Sequence, residues 1–256
     1  MDKIAVVTGA SNGIGRATVE ALLADGWRVW GFDLETQPAL PNGNSDLYSH
    51  EICDIADPES IKRAFGAVAT QTNSIGALIC NAGVTIVGDL ADIKIEEVDL
   101  MYKVNLRGPW LTIREAIPLL ERNASPADPA RVVVTGSIGG LRPKVGNGFY
   151  SASKQAVHTI VQIFAVELAS KGIIVNAVAP GTTDTRMPRE SAAKASKDGS
   201  KFQVSGLSPL GRIGKPQEIA DAILFFLSER AKYINGAILP VDGGTRAAYI
   251  GPRPAL

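Results

Sequence analysis

The sequence predicts an α/β protein: an open, doubly wound parallel sheet with helices on both faces. Short apolar runs rich in β-branched residues recur at Ile4–Thr8, Arg28–Phe32, Ala77–Cys80, Arg131–Thr135, Ile173–Val178 and Ala237–Val241, with helix-length segments between most of them. Most of these runs lack apolar/polar alternation, as expected of strands that helices cover on both sides. In such a sheet the ligand sits beyond the carboxyl ends of the strands, so the residues that follow each run carry the chemistry.

Composition narrows the function classes. The 256 residues hold 26 Lys+Arg against 26 Asp+Glu, so there is no net field with which to grip nucleic acid or an anionic membrane. With 45% hydrophobic and 20% charged residues the chain can support one large core. No Pro/Gly/Ser linker or compositional shift divides it, so a single domain over 1–256 is expected. Met1-Asp2-Lys3 leads straight into a strand-like run without the pattern of a secretory signal, and no run reaches the ~18 apolar residues of a membrane span. A cytoplasmic protein is expected. Cys53 and Cys80 make no CxxC pair and read as buried thiols, and neither His50 nor His158 has companions at metal-ligand spacing.

The first strand runs into Thr8-Gly9-Ala10-Ser11-Asn12-Gly13-Ile14-Gly15, followed by a helical pattern through Val19, Leu22 and Leu23. Glycines there let the chain turn sharply, bring backbone close to a phosphate and aim helix N–H groups at the anion. The second strand ends in Asp33, whose carboxylate can accept hydrogen bonds from an adenosine ribose and would repel a 2′-phosphate. No Arg or Lys among residues 9 to 15 offsets that repulsion, so NAD is expected over NADP. Asp54, at the end of a third probable strand, could meet the adenine amino group or cap a turn.

At the other end of the crevice, Arg131–Thr135 leads to Gly136-Ser137, and Tyr150-Ser151-Ala152-Ser153-Lys154 opens a strong helical pattern. Tyr and Lys four positions apart share one helix face. A Lys charge ~4 Å from the phenol at an effective dielectric of ~20 supplies about 4 kcal/mol, roughly three pKa units, enough to bring Tyr150 near neutrality as a general base. Ser137 could hold the reacting oxygen beside the phenol. Pro109 lacks the N–H that would bond to the carbonyl of Asn105 in a regular helix, which leaves that carbonyl for a water. Asn81-Ala82-Gly83 and Pro180-Gly181-Thr182 follow strands, where small residues permit close approach of a cofactor.

Taken together, TGASNGIG, Asp33, Asn81-Ala82-Gly83, Asn105, Ser137, Tyr150, Lys154, Pro180-Gly181 and Val241-Asp242-Gly243-Gly244 resemble the classical short-chain dehydrogenase/reductase family over essentially the whole chain. The resemblance implies a Rossmann fold with Tyr150 as acid/base, Ser137 orienting the substrate, Lys154 on the nicotinamide ribose, and Asn105 holding a relay water. It also implies an NAD site at Gly9, Ser11, Asn12, Gly13, Ile14, Gly15, Asp33, Asp54, Ile55, Asn81, Ala82, Gly83, Tyr150, Lys154, Pro180, Gly181, Thr183 and Thr185. Cys80 departs from the family, which often has a second asparagine there. A homotetramer through the catalytic helix and the final helix-strand segment is implied as well. Phe164, Phe225 and Phe226 lie on apolar helix faces, for core packing or a subunit contact.

Residues 184–206 break the regular pattern and carry Arg186, Arg189, Lys194, Lys197 and Lys201, which suits a lid over cofactor and substrate. Arg142, Lys144, Asn147 and Arg186 are the candidate substrate residues, and a basic one turned inward would bind a carboxylate. Gly31-Phe32-Asp33, Cys53-Asp54-Ile55-Ala56-Asp57, Pro180-Gly181-Thr182-Thr183-Asp184-Thr185 and Pro209-Leu210-Gly211-Arg212-Ile213 look similar to 2,3-dihydro-2,3-dihydroxybenzoate dehydrogenases within the family. The expectation is hydride transfer between a small secondary alcohol or its ketone and NAD. An idle NAD-sensing regulator and an NADP-dependent carbonyl reductase are the rival readings. The Ser137, Tyr150 and Lys154 set argues against the first, and Asp33 against the second.

Overall fold

Six mostly apolar segments and one polar edge segment form a seven-stranded sheet: β1 (Ile4–Thr8), β2 (Arg28–Asp33), β3 (Tyr48–Ile52), β4 (Ala77–Cys80), β5 (Ala130–Thr135), β6 (Ile173–Pro180) and β7 (Ile238–Val241). The computed structural model describes residues 2–36, 46–197 and 207–247. All neighbouring strands pair in parallel, in the order β3-β2-β1-β4-β5-β6-β7. The chain winds outward from β1 to β3, then returns to β4 beside β1, and this reversal opens a crevice at the carboxyl ends of β1 and β4.

Helices cover both faces. Alternate residues of β1 separate two apolar layers: Ala5 and Val7 pack with Val19, Leu22 and Leu23 of α1 (Gly13–Ala24) and Ile219, Ile223 and Phe226 of α7 (Pro216–Leu227). Val6 faces the other way. It joins Ile61 and Phe65 of α2 (Pro58–Gln71), Leu111 and Ile113 of α4 (Gly108–Leu120), and Val157, Val161 and Phe164 of α5 (Gly148–Glu167). Asp57 caps α2 by accepting from the Glu59 N–H at 3.0 Å, and Pro58 fills the first helical position, where no N–H is required. Cys53 and Cys80 are buried, unbridged thiols, and burial pushes Cys53 up to about 11 and Cys80 upward too.

Two features depart from the simple strand-helix reading. β3 is the sequence YSHEI, an edge strand whose side chains are mostly half-exposed, so it carries no apolar run. His50 sits within it: the Tyr48 hydroxyl donates to Nδ1 at 2.9 Å, and Nε2 donates to the Glu35 carbonyl at 2.9 Å. Between α3 (Ile95–Met101) and α4 the backbone widens into a π-helical turn, Tyr102–Arg107, with Asn105 at its middle. Pro109 stands at the start of α4 directly after it, where its missing N–H removes the regular bond to the Asn105 carbonyl.

The segment expected as a lid begins with α6 (Arg186–Lys197). The side chains of Lys194 and Lys197, and Lys201 altogether, lie outside the described residues. No described helix is long and apolar enough to cross a membrane. Phe164 and Phe226 are core residues, whereas Phe225 is 40% exposed.

Candidate active site

The turn after β1 needs its glycines for stated reasons. Gly9 and Gly13 have φ of +65° and +55°, where a side chain is strained, and a Cβ on Gly15 would collide with the Gly9 carbonyl oxygen. The Thr8 hydroxyl accepts from the N–H groups of Asn81 and Ala82 at 3.0 and 3.1 Å. Asn81 Nδ2 donates back to the Thr8 and Gly9 carbonyls at 3.1 and 3.2 Å, while its Oδ1 accepts from the Thr135 hydroxyl at 3.2 Å. Asn81 therefore ties the ends of β1, β4 and β5 together.

The turn has the features of a phosphate cradle. No side chain caps α1 and its first turn holds no acid, so the positive end of the helix stays uncompensated. The Ser11 hydroxyl is buried without a hydrogen-bond partner in the protein, the condition of a group that a phosphate oxygen would satisfy. Next to it, the Asp33 carboxylate accepts from the Ser11 and Glu35 N–H groups at 2.8 and 3.1 Å, which holds it at the crevice edge. These residues fit the diphosphate and ribose of a dinucleotide. Ile14 is half-buried beside the turn, and Thr185 approaches it from across the crevice: a Cβ on Gly13 would lie 3.1 Å from Thr185 Cγ2.

The other expected cofactor residues divide. Asp54 accepts from the Ala56 N–H at 2.8 Å and so closes a turn, while buried Ile55 packs against Gly108. Gly83 admits two functional side chains, for a Cβ there would lie 3.2 Å from Asn105 Oδ1 and 3.5 Å from Lys154 Nζ. Pro180 ends β6, the Gly181 N–H donates to the Val241 carbonyl at 3.0 Å, and the buried Thr183 hydroxyl donates to the Gly181 carbonyl at 3.1 Å.

The catalytic candidates converge. β5 delivers Ser137 and α5 delivers Tyr150 and Lys154 from one face, and the Ser137 and Tyr150 hydroxyls are hydrogen-bonded. Ser137 Oγ also accepts from the Gly139 N–H at 3.0 Å. Lys154 Nζ donates to the Thr135 carbonyl at 2.8 Å. Burial pushes Tyr150 up from its ordinary value, against a lowering by the Ser137 hydrogen bond, and burial pulls Lys154 down to about 8. This corrects the expectation of a phenol near neutrality. Lys154 Nζ is 5.9 Å from the Tyr150 ring centre, and desolvation of the phenolate is the leading influence on Tyr150.

Asn105 is fully buried and clamps the loop after β4: Oδ1 accepts from the Val84 N–H at 2.9 Å and Nδ2 donates to the Val84 carbonyl at 2.8 Å. Nδ2 also donates to Ser153 Oγ at 3.2 Å, and that hydroxyl donates to the Tyr150 carbonyl at 2.8 Å.

Ser153 and His158 were missed as site residues. His158 Nε2 accepts from the Ser137 N–H at 3.4 Å, its Nδ1 is buried without a hydrogen-bond partner, and burial with the nearby Lys154 charge pulls it down to about 4. Its place four residues beyond Lys154 was the available signal.

The basic residues expected at the substrate go elsewhere in part. Arg142 is exposed and donates to the Thr245 carbonyl at 2.7 Å, while Arg186 pairs with Glu35 at 2.8 Å, at the Asp33 end of the crevice. Lys144 is half-buried, and desolvation and Arg142 lower its pKa. Asn147 precedes α5 and its Oδ1 accepts from the Thr85 hydroxyl at 3.4 Å. Among the described residues no group of three His, Cys, Asp or Glu side chains is placed to hold a metal ion.

Residues 9–246 match the family model described as enoyl-(acyl carrier protein) reductase. The chain is 33% identical over 255 residues to a 3-oxoacyl-(acyl-carrier-protein) reductase of Thermotoga maritima, covering 94% of this chain and 97% of that protein. It is 32% identical over 247 residues to the 2,3-dihydro-2,3-dihydroxybenzoate dehydrogenase of Escherichia coli strain K12, covering 93% and 95%. Among solved structures, a 3-ketoacyl-(acyl-carrier-protein) reductase from Brucella melitensis complexed with NADH superposes with a TM-score of 0.84 at 26% identity, covering 94% of this chain and 97% of that one.

Proposed function

The chain belongs to the classical short-chain dehydrogenase/reductase family, and on that premise we propose that it is an NAD-dependent oxidoreductase of a small secondary alcohol. The observation that carries the reading is the convergence of the hydrogen-bonded Ser137 and Tyr150 hydroxyls with Lys154 beside an uncapped, glycine-lined helix end. Asp33 supports NAD, since its carboxylate stands where it would accept from ribose hydroxyls.

Bound nicotinamide supplies the hydride acceptor and a positive charge. Ser137 holds the substrate oxygen, and Tyr150 takes the hydroxyl proton as the carbinol carbon gives up its hydride. Lys154 holds positive charge near the phenol, and the Asn105 carbonyl, relieved of the bond Pro109 cannot make, offers a place for the water that carries the proton onward. Reduction of a ketone uses the same groups in reverse. The likeness to a dihydrodiol carboxylate dehydrogenase supports a cyclic diol or hydroxy acid, with Lys144 as a residue for the carboxylate. A single domain, an α6 lid and a homotetramer complete the proposal. Exposed Ile163 and Val166 on α5, and Phe225 and Leu239 on α7 and β7, support that assembly.

The test is NAD(P)H absorbance with NAD and with NADP across secondary alcohols, polyols, cyclic dihydrodiols and hydroxy acids. The expected result is turnover with NAD. Silence across the panel despite NAD binding would instead favour the binding-protein reading.

A further inference from the structure

The adenosine end of the crevice contains a guanidinium that Asp33 alone does not account for. The chain leaves β6, crosses the Gly-rich turn at Thr185, and the next residue, Arg186, donates to Glu35 Oε1 at 2.8 Å. Glu35 stands two residues beyond Asp33 and is held at four points. Its N–H donates to Asp33 Oδ1 at 3.1 Å, its carbonyl accepts from His50 Nε2 at 2.9 Å, and its Oε2 accepts from Asn12 Nδ2 at 2.6 Å. Arg186 is the fourth. The Arg186 charge feels Glu35 foremost, then Glu190 and Asp33, so it stands within electrostatic reach of the ribose-binding carboxylate. Glu190 Oε1 lies 3.5 Å from Arg186 Nε, as an exposed partner one helical turn along α6.

A guanidinium in this place is a natural ligand for a 2′-phosphate, because its planar fork matches phosphate oxygens. Glu35 holds one arm of that fork, accepting from Nη2 at 2.8 Å. Asp33, Glu35 and Glu190 with Arg186 carry two net negative charges, whereas loss of the Glu35 charge would leave one and release the Arg186 nitrogen that Glu35 holds to turn to a phosphate or to Asp33.

We propose that Glu35 is a second determinant of cofactor choice, which excludes NADP by holding Arg186 in an ion pair beside Asp33. The proposal rests on the NAD reading above. It reassigns Arg186 from the substrate to the adenosine end. Both side chains are about half-exposed, so the pair acts through position and charge rather than through stability.

The test is titration of the intact protein with NADH and NADPH, read by nicotinamide fluorescence, for the unaltered protein, Glu35→Gln, Arg186→Gln and the double variant. The unaltered protein should prefer NADH. Glu35→Gln should raise NADPH affinity relative to NADH by about tenfold, equal to about 1.4 kcal/mol. Arg186→Gln should weaken NADPH alone, and the double variant should lose the gain of Glu35→Gln. An unchanged ratio in Glu35→Gln overturns the proposal, and so does a gain that survives in the double variant. Equal weakening of both dinucleotides by Arg186→Gln would make the arginine a lid anchor and overturn it too. An unaltered protein that prefers NADPH, or binds neither, overturns the NAD reading itself and the role of Glu35 with it. The two failures are therefore read from different proteins in the same series.

Discussion

Lys154 Nζ lies 5.9 Å from the centre of the Tyr150 ring while donating to the Thr135 carbonyl at 2.8 Å. The strand thus fixes the position of the lysine ammonium. Burial costs both groups their charged forms, raising Tyr150 and bringing Lys154 to about 8. The protein without cofactor is accordingly a resting site with a protonated phenol. A second positive charge is needed to activate it, and the nicotinamide cation of the proposed reaction has the right sign.

Tyr150→Phe should therefore lower kcat/KM by about 10²–10⁴-fold while leaving NADH binding unchanged. The difference in tyrosinate absorbance between the unaltered protein and this variant should titrate above the ordinary tyrosine value without cofactor and move down when NAD is added. A signal near neutrality in the absence of NAD would show that Lys154 suffices, contrary to the burial argument.

The Gly-rich turn, Asp33 and the Tyr150–Lys154 spacing were legible because each is a local pattern whose geometry follows from a strand end or a helix turn. β3 was less so, since an edge strand with half-exposed side chains has no apolar run to show. The destination of Arg186 was not legible at all. Its partner Glu35 is 151 residues away, and only the crossing of the chain over the Gly-rich turn brings them together. The pKa of Tyr150 was misjudged for a related reason, because spacing along a helix reports which side chains share a face but not how far water is excluded from them.

His158 should make the protein acid-sensitive. Its folded value is about 4, against the usual 6.5 of an exposed histidine. The unfolded chain binds a proton first as pH falls, so this contribution to stability is fully present above about 6.5 and is lost between there and about 4. His158→Gln, which keeps an acceptor for the Ser137 N–H, should flatten the fall in Tm across that window. An equally steep fall in the variant would assign the acid sensitivity to other groups.

Asn105 joins the loop after β4 to the catalytic helix, so its loss should affect both stability and rate. Asn105→Ala removes both bonds to the Val84 backbone and the one to Ser153, all made by a fully buried side chain. Leaving the part-buried Val84 N–H and carbonyl without their Asn105 partner costs up to about 1–3 kcal/mol each, reduced where water reaches them, so a loss of roughly 1–3 kcal/mol is expected, measurable by urea denaturation. Ser153, which also holds the Tyr150 carbonyl, would lose its Asn105 donor, and Gly83 would face a void beside Lys154. The turnover number should therefore fall even at temperatures where the variant is fully folded, with NADH affinity changing less than kcat. Full activity in a destabilised but folded variant would limit Asn105 to a structural clamp and leave proton transfer to Tyr150 and Lys154 alone.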